Sequence, residues 1–158
     1  MKMEIISYFV GKIVDYLPAF LMSRIFPPKK VSRQIEIRLR GENPISLARG
    51  TEVPCIDLYF EIINQSYLTL VLDRMLIDFW FGQPTFQGAV LRRYIIPARN
   101  TVKDVSYKQS LTTAQQKQIE QFSNTSVVHG QIQIYLTAYF ESKAGIIEIQ
   151  GNIERSKI

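Results

Sequence analysis

From Gln131 to Glu141 the chain alternates without a break. Ile132, Ile134, Leu136, Ala138 and Phe140 stand between Gln131, Gln133, Tyr135, Thr137, Tyr139 and Glu141. A period of two puts the apolar set on one face of a strand and the polar set on the other, and it lays no stripe along a helix. Ser142-Lys143-Ala144-Gly145 follows as a turn, and Ile146 to Ile153 resumes the extended pattern. The spacing predicts a hairpin.

The same period recurs upstream. Ile35, Ile37 and Leu39 alternate with Glu36, Arg38 and Arg40. Ile56, Leu58, Phe60 and Ile62 alternate with Cys55, Asp57, Tyr59 and Glu61, up to the turn-forming Asn64-Gln65-Ser66. Arg74 to Phe81 sets Met75, Ile77, Phe79 and Phe81 on one face and stops at Gly82-Gln83-Pro84. Val90 to Ile96, closed by Pro97, alternates less cleanly because Arg92 shares a face with Val90, Tyr94 and Ile96; Val102 to Tyr107 is a short fifth strand. A helix interrupts them. Thr112 or Thr113 caps it, Gln115 or Gln116 stands three residues on, and Ile119 and Phe122 are its apolar anchors. About seven strands, regular turns and one inserted helix predict an all-β domain over residues 31–158, an immunoglobulin- or fibronectin-III-like antiparallel β-sandwich.

Residues 1–30 follow another rule. Between Ile5 and Phe26, apolar side chains fall at Ile6, Phe9, Val10, Ile13, Leu17, Phe20 and Leu21, close to helical spacing. Pro18 is expected to kink or interrupt this helix, and Pro27-Pro28 to end it before Lys29-Lys30. The net charge of +5 resides in residues 1–40. Residues 1–40 hold eight Lys/Arg against three acids, whereas residues 41–158 hold eleven of each. A basic stretch beside an apolar helix suits an anionic surface. Three readings stay open: an amphipathic helix lying in a membrane interface, a helix packed on its own domain or a subunit interface, and a transmembrane anchor. Lys12 and Asp15 interrupt the span that the last requires, and no signal-peptide cleavage pattern precedes the charges. The candidate membrane- or partner-binding residues are Phe9, Ile13, Leu17, Phe20, Leu21, Arg24, Lys29, Lys30 and Arg33.

Catalytic chemistry finds few residues to work with. His129 is the single histidine and Cys55 the single cysteine, so the usual four-ligand zinc site is not expected and no disulfide can form within the chain. No GxxxxGK[ST] or GxGxxG loop is present, and no cofactor is expected. Asp57, Tyr59 and Glu61 are spaced by two and are read as a solvated sheet face. Trp80 should lie opposite Phe79 and Phe81, partly exposed or covered by the N-terminal helix. Arg92, Arg93 and Arg99 are too few on a neutral domain to predict nucleic-acid binding. Asn64-Gln65-Ser66 and Asn124-Thr125-Ser126 match the glycosylation triplet, which matters only in an exported chain.

The segments IDLYFEIINQS, LTLVLDRMLIDFWFGQ and FQGAVLRRYIIPARNTVKDV, together with His129-Gly130, resemble the late-embryogenesis-abundant type 2 domain, also called the water-stress and hypersensitive-response domain. Asn64 stands at the family's Asn-Pro-Asn, Phe79-Trp80-Phe81-Gly82 at its second motif, and Ile96-Pro97-Ala98-Arg99-Asn100 at its "ipa.g" turn. The resemblance covers residues 50–153, with Gln65-Ser66 replacing the usual Pro-Asn. It implies a LEA14-like sandwich, membrane-proximal scaffolding, stress protection or lipid binding, and no catalytic residues. The expected protein is a non-enzymatic module at the cytoplasmic face of a membrane. A subunit of a protein assembly, a homo-oligomer included, and a lipid or small-molecule carrier are the alternatives.

Overall fold

A computed structural model describes residues 16–42, 45–48, 54–81, 85–124 and 132–153. After two short helices, α1 (Ala19–Ile25) and α2 (Pro28–Ser32), come β1 (Ile35–Leu39), β2 (Ile45–Ala48), β3 (Cys55–Asn64), β4 (Leu70–Phe81), β5 (Thr85–Val90), β6 (Tyr94–Ile96) and β7 (Asn100–Ser110). Helix α3 (Thr113–Asn124) precedes β8 (Ile132–Ser142) and β9 (Gly145–Ile153).

The strands form two antiparallel sheets. In the first, β7 runs along one side of β3 while β1 and β2 share the other, β1 against Phe60–Asn64 and β2 against Cys55–Leu58. In the second, β8 and then β9 lie on one side of β4, and β5 and β6 share the other. The sandwich is as expected, with nine described strands for about seven. The extra two arise because β2 carries only Ile-Ser-Leu-Ala, too short to register as a pattern. In addition, the stretch Val90–Ile96 is not one strand: Leu91–Arg93 break it, leaving β5 and β6 in register with different parts of β4.

Two bulges explain where alternation fails. Leu72 pairs with Phe140 but Arg74 with Tyr139, so Asp73 is an extra residue in β4. It lets Leu70 and Leu72 face the core together with Met75, Ile77 and Phe79, although the two sets differ in parity. Opposite Phe60–Ile62, β7 steps from Val105 to Val102, and Asp104 takes the left-handed φ of 66° that accommodates its extra residue. Phe60, Phe79 and Phe140 are fully buried between the sheets, each contributing about 1.5–3 kcal/mol relative to exposure. Phe79 stacks on Phe86 with centroids 4.6 Å apart and meets Tyr107 edge-on at 6.1 Å.

Pro18 interrupts the N-terminal helix and stands as the N-cap of α1, and α1 ends at Ile25 ahead of Pro27, both as expected; the difference is that Pro28 opens a further short helix, α2. A first-turn proline forfeits nothing, because its N–H would have no helical partner. Met22 and Val31 are buried in the same core as the sandwich, with Leu17 and Phe26 packed against it, and α2 lies on β9. Residues 19–32 therefore belong to the domain rather than to a linker outside it. Around α3 the capping box forms as predicted: Gln115 N donates to Thr112 Oγ1 (3.2 Å) and Thr112 N to Gln115 Oε1 (2.9 Å). Ile119 anchors the helix; the Phe122 side chain lies outside the described residues.

Candidate functional site

One end of the sandwich gathers most of the features that sequence reading singled out. There Ile35 pairs with Asn64, Asn64 with Asn100, Leu70 with Ile96 and with Ser142, and Ser142 with Gly145. Asn64 is fully buried. Its Nδ2 donates to the carbonyls of Leu68 (2.7 Å) and Pro97 (3.0 Å), and its Oδ1 accepts from Ser66 N (3.0 Å) and Ser66 Oγ (2.6 Å). Arg99, at a left-handed φ of 56°, donates its N–H to Ser66 O (3.0 Å) and Nη1 to Gln65 O (2.9 Å), and its guanidinium lies 5.0 Å from the Tyr67 ring centroid. Gln65 N reaches Gln34 O at 2.8 Å. Asn64 and the Ile96–Asn100 turn, separate motifs in the chain, are thus one hydrogen-bonded knot. A shallow depression of about 330 Å³ lies beside it, lined by Ile63, Asn64, Gln65, Arg99, Asn100 and Thr101. Since the Asn64 amide is enclosed and engaged, it is no glycosylation acceptor in this fold; the residues 125–126 of the second triplet lie outside the described residues.

The N-terminal helices lead into this end through Gln34, with α2 packed on β9. Of the nine candidate binding residues, Phe9 and Ile13 lie outside the described residues. Leu17 and Leu21 are half-buried, Leu17 against the core, and so do not project as an insertion face would. Phe20 is 71% exposed, and Arg24, Lys29, Lys30 and Arg33 are exposed. Periodicity missed Met22, two positions or about 200° round the helix from Phe20, which is the residue that seats α1. Tyr16 (88% exposed) and Ile25 (48%) extend the solvent-facing apolar set, and no charge pattern pointed to them.

On the outer face of the first sheet, Glu61 is buried, not solvated. Arg38 covers it, with Nε and Nη2 each 3.0 Å from Glu61 Oε2, and Glu36 stands 4.0 Å from Arg38. Arg40 pairs with Asp104, donates to Glu42 O (2.7 Å) and lies 4.3 Å from the Tyr59 ring centroid. A depression of about 530 Å³ opens between Arg40, Glu42, Lys103 and Asp104. These contacts are structural pairings between cross-strand neighbours. Arg93 pairs with Glu141, and Arg92 lies 5.4 Å from the Tyr94 ring centroid. Trp80 is half-exposed on the outer face of the second sheet, flanked by Gln133 and Thr85. Burial pushes the Tyr107 phenol up from its ordinary value. Among the described residues no three His, Cys, Asp or Glu are grouped to hold a metal, and no helix is long and apolar enough to cross a membrane. His129 lies outside the described residues, and Cys55 is buried beside Ser110.

No protein-family model and no curated protein matches the chain. Among solved structures, a protein from Archaeoglobus fulgidus is similar at 8% identity and a TM-score of 0.42, over 78% of this chain and 97% of that one. The structural-genomics target SoR45 is similar at 13% identity and 0.44, over 77% and 82%. Red sea bream transglutaminase is similar at 11% and 0.30, over 73% of this chain and 17% of its own. Likenesses this slight decide nothing about function.

Proposed function

We propose that the chain is a non-enzymatic β-sandwich module of the late-embryogenesis-abundant type 2 kind, held at the cytoplasmic face of a membrane by its N-terminal helical segment. The observation that carries the reading is the division of labour within α1. Met22 is fully buried in the sandwich core while Phe20, Arg24 and Ile25 stand exposed, with Tyr16 exposed just ahead of the helix. A helix pinned to its domain by one side and presenting large apolar side chains on another is suited to an interface. The binding set is accordingly Phe20, Arg24, Lys29, Lys30 and Arg33, with Phe9 and Ile13 preceding it. Membrane-proximal scaffolding or stress protection is the role the resemblance supplies. The space between the sheets is filled by Leu58, Phe60, Met75, Ile77 and Phe140, so the carrier alternative has no observation behind it.

Flotation with vesicles tests the reading. A chain cut near Val31 would lose Met22 and is a poor comparator, so surface variants replace it. Phe20→Ser, with Tyr16→Ser, should lower partitioning about tenfold or more, from the transfer free energy of the lost aromatic surface. Unchanged binding would remove the helix from the interface. A defined oligomer without lipid, dispersed by the same variants, would favour protein docking instead.

A further inference from the structure

The knot around Asn64 brings the segments 65–69, 97–99 and 143–144 to one end of the sandwich, and residues 19–34 lead into that end through Gln34, with α2 packed on β9. Those segments carry six cations, Arg24, Lys29, Lys30, Arg33, Arg99 and Lys143, and no carboxylate. All six are exposed. At the opposite end, where Leu111 N donates to Pro54 O (2.8 Å), α3 carries one charge of each sign, Lys117 and Glu120. Just inside the cationic end, on the outer face of the second sheet, Val71 pairs with Ile95 on one side and with Glu141 on the other, and Glu141 pairs with Ile146. Ile95 is 68% exposed and Ile146 is 70%. The one carboxylate in that row, Glu141, is engaged by Arg93.

We infer that this whole end of the sandwich, rather than the N-terminal helix alone, is a docking surface for an anionic lipid bilayer. The inference rests on the membrane-proximal reading and adds to it a contact made by the β-domain itself. Cations contributed by α1, α2, the Pro97–Arg99 turn and the β8–β9 turn meet the headgroups, and Ile95 and Ile146 reach the apolar boundary. Single-signed charge is what selects a lipid surface. Six cations without a carboxylate gain from a continuous anionic plane, each Lys or Arg near the surface strengthening binding about fivefold. A protein partner would more often meet mixed charge and a packed apolar centre.

The test floats the full chain with vesicles of phosphatidylcholine alone and of phosphatidylcholine with phosphatidylserine. Native chain should prefer the anionic vesicles and lose binding as salt rises. Arg99→Gln with Lys143→Gln leaves the helices untouched and should lower anionic partitioning about 25-fold, two cations at about fivefold each. If that pair shifts the thermal midpoint, Lys143→Gln alone, in the β8–β9 turn, should lower anionic partitioning about fivefold. Native-like binding by the folded charge variants, with loss in Phe20→Ser, overturns this inference and leaves the helix reading standing. Loss in the charge variants with native-like binding by Phe20→Ser does the reverse. Equal binding to both vesicle types overturns the charge mechanism, and no binding to either overturns both readings.

Discussion

The Asn64 side-chain amide donates to the carbonyl of Pro97 at 3.0 Å, tying the last residue of β3 to the turn that follows β6 in the other sheet. The same amide holds Leu68 O, and its oxygen holds Ser66. Removing it strands several enclosed polar groups at once, each costing about 1–3 kcal/mol when buried without a partner. Asn64→Ala should therefore destabilise the domain by about 2–4 kcal/mol in denaturant unfolding. Asn64→Asp keeps the shape but turns an acceptor toward two carbonyls. It should be at least as damaging at neutral pH and recover in part at acid pH, once protonated.

Gly88 faces Tyr107 across the sandwich. A Cβ at Gly88 would lie 2.5 Å from Tyr107 Cε2 and 2.6 Å from Cζ, closer than any real packing allows. The ring is held edge-on by Phe79 and its hydroxyl by Gln109, so it has little room to yield. Gly88→Ala should cost about 1–3 kcal/mol by overpacking. In a Tyr107→Phe background, where the hydroxyl at the contact is gone, the same substitution should cost less, and a double-mutant cycle measures the difference.

Burial holds the Tyr107 phenol neutral, raising its pKa above the ordinary 10.0. The folded chain thus favours the protonated form. Its contribution is complete below the unfolded pKa, and it is lost as pH climbs from there through the raised folded value. Native protein should lose more stability than Tyr107→Phe between about pH 9 and pH 11, a range that brackets the ordinary tyrosine pKa. Parallel curves for the two would show that Tyr107 ionises equally well folded and unfolded.

Where one face was apolar and the strand unbroken, the sequence was easy to read. Ile134 to Phe140 and Ile56 to Ile62 fall on the faces their parity assigns. Reading failed where geometry shifts parity. Asp73 inserts into β4, so Leu70 and Leu72 look out of phase with Met75 although all three share the core. Glu61 has the right parity for an outer face, but only the fold brings Arg38 over it. The candidate site was legible in half. The cations at Arg24, Lys29, Lys30 and Arg33 stand out in the chain. Arg99 joins them through the pairing of Asn64 with Asn100, 36 positions apart, and Lys143 through that of Leu70 with Ser142, 72 apart. Nor does helical periodicity distinguish Met22 from Leu21, because which of two adjacent apolar residues faces inward depends on the surface against which α1 lies.

Met22 therefore decides where the domain begins. It is fully buried in one core with Val31, nine positions further on, and the two sheets. Met22→Ala should cost about 2–4 kcal/mol, the range for emptying a core methionine site. Phe20→Ala, on the exposed side of the same helix, should stay within about 0.5 kcal/mol. A helix that served only as an anchor outside the domain would give small values for both. Urea unfolding of the two variants, read at equal m-values, separates the cases, and a large Met22 effect beside a negligible Phe20 effect makes residues 19–32 part of the sandwich in energy as well as in position.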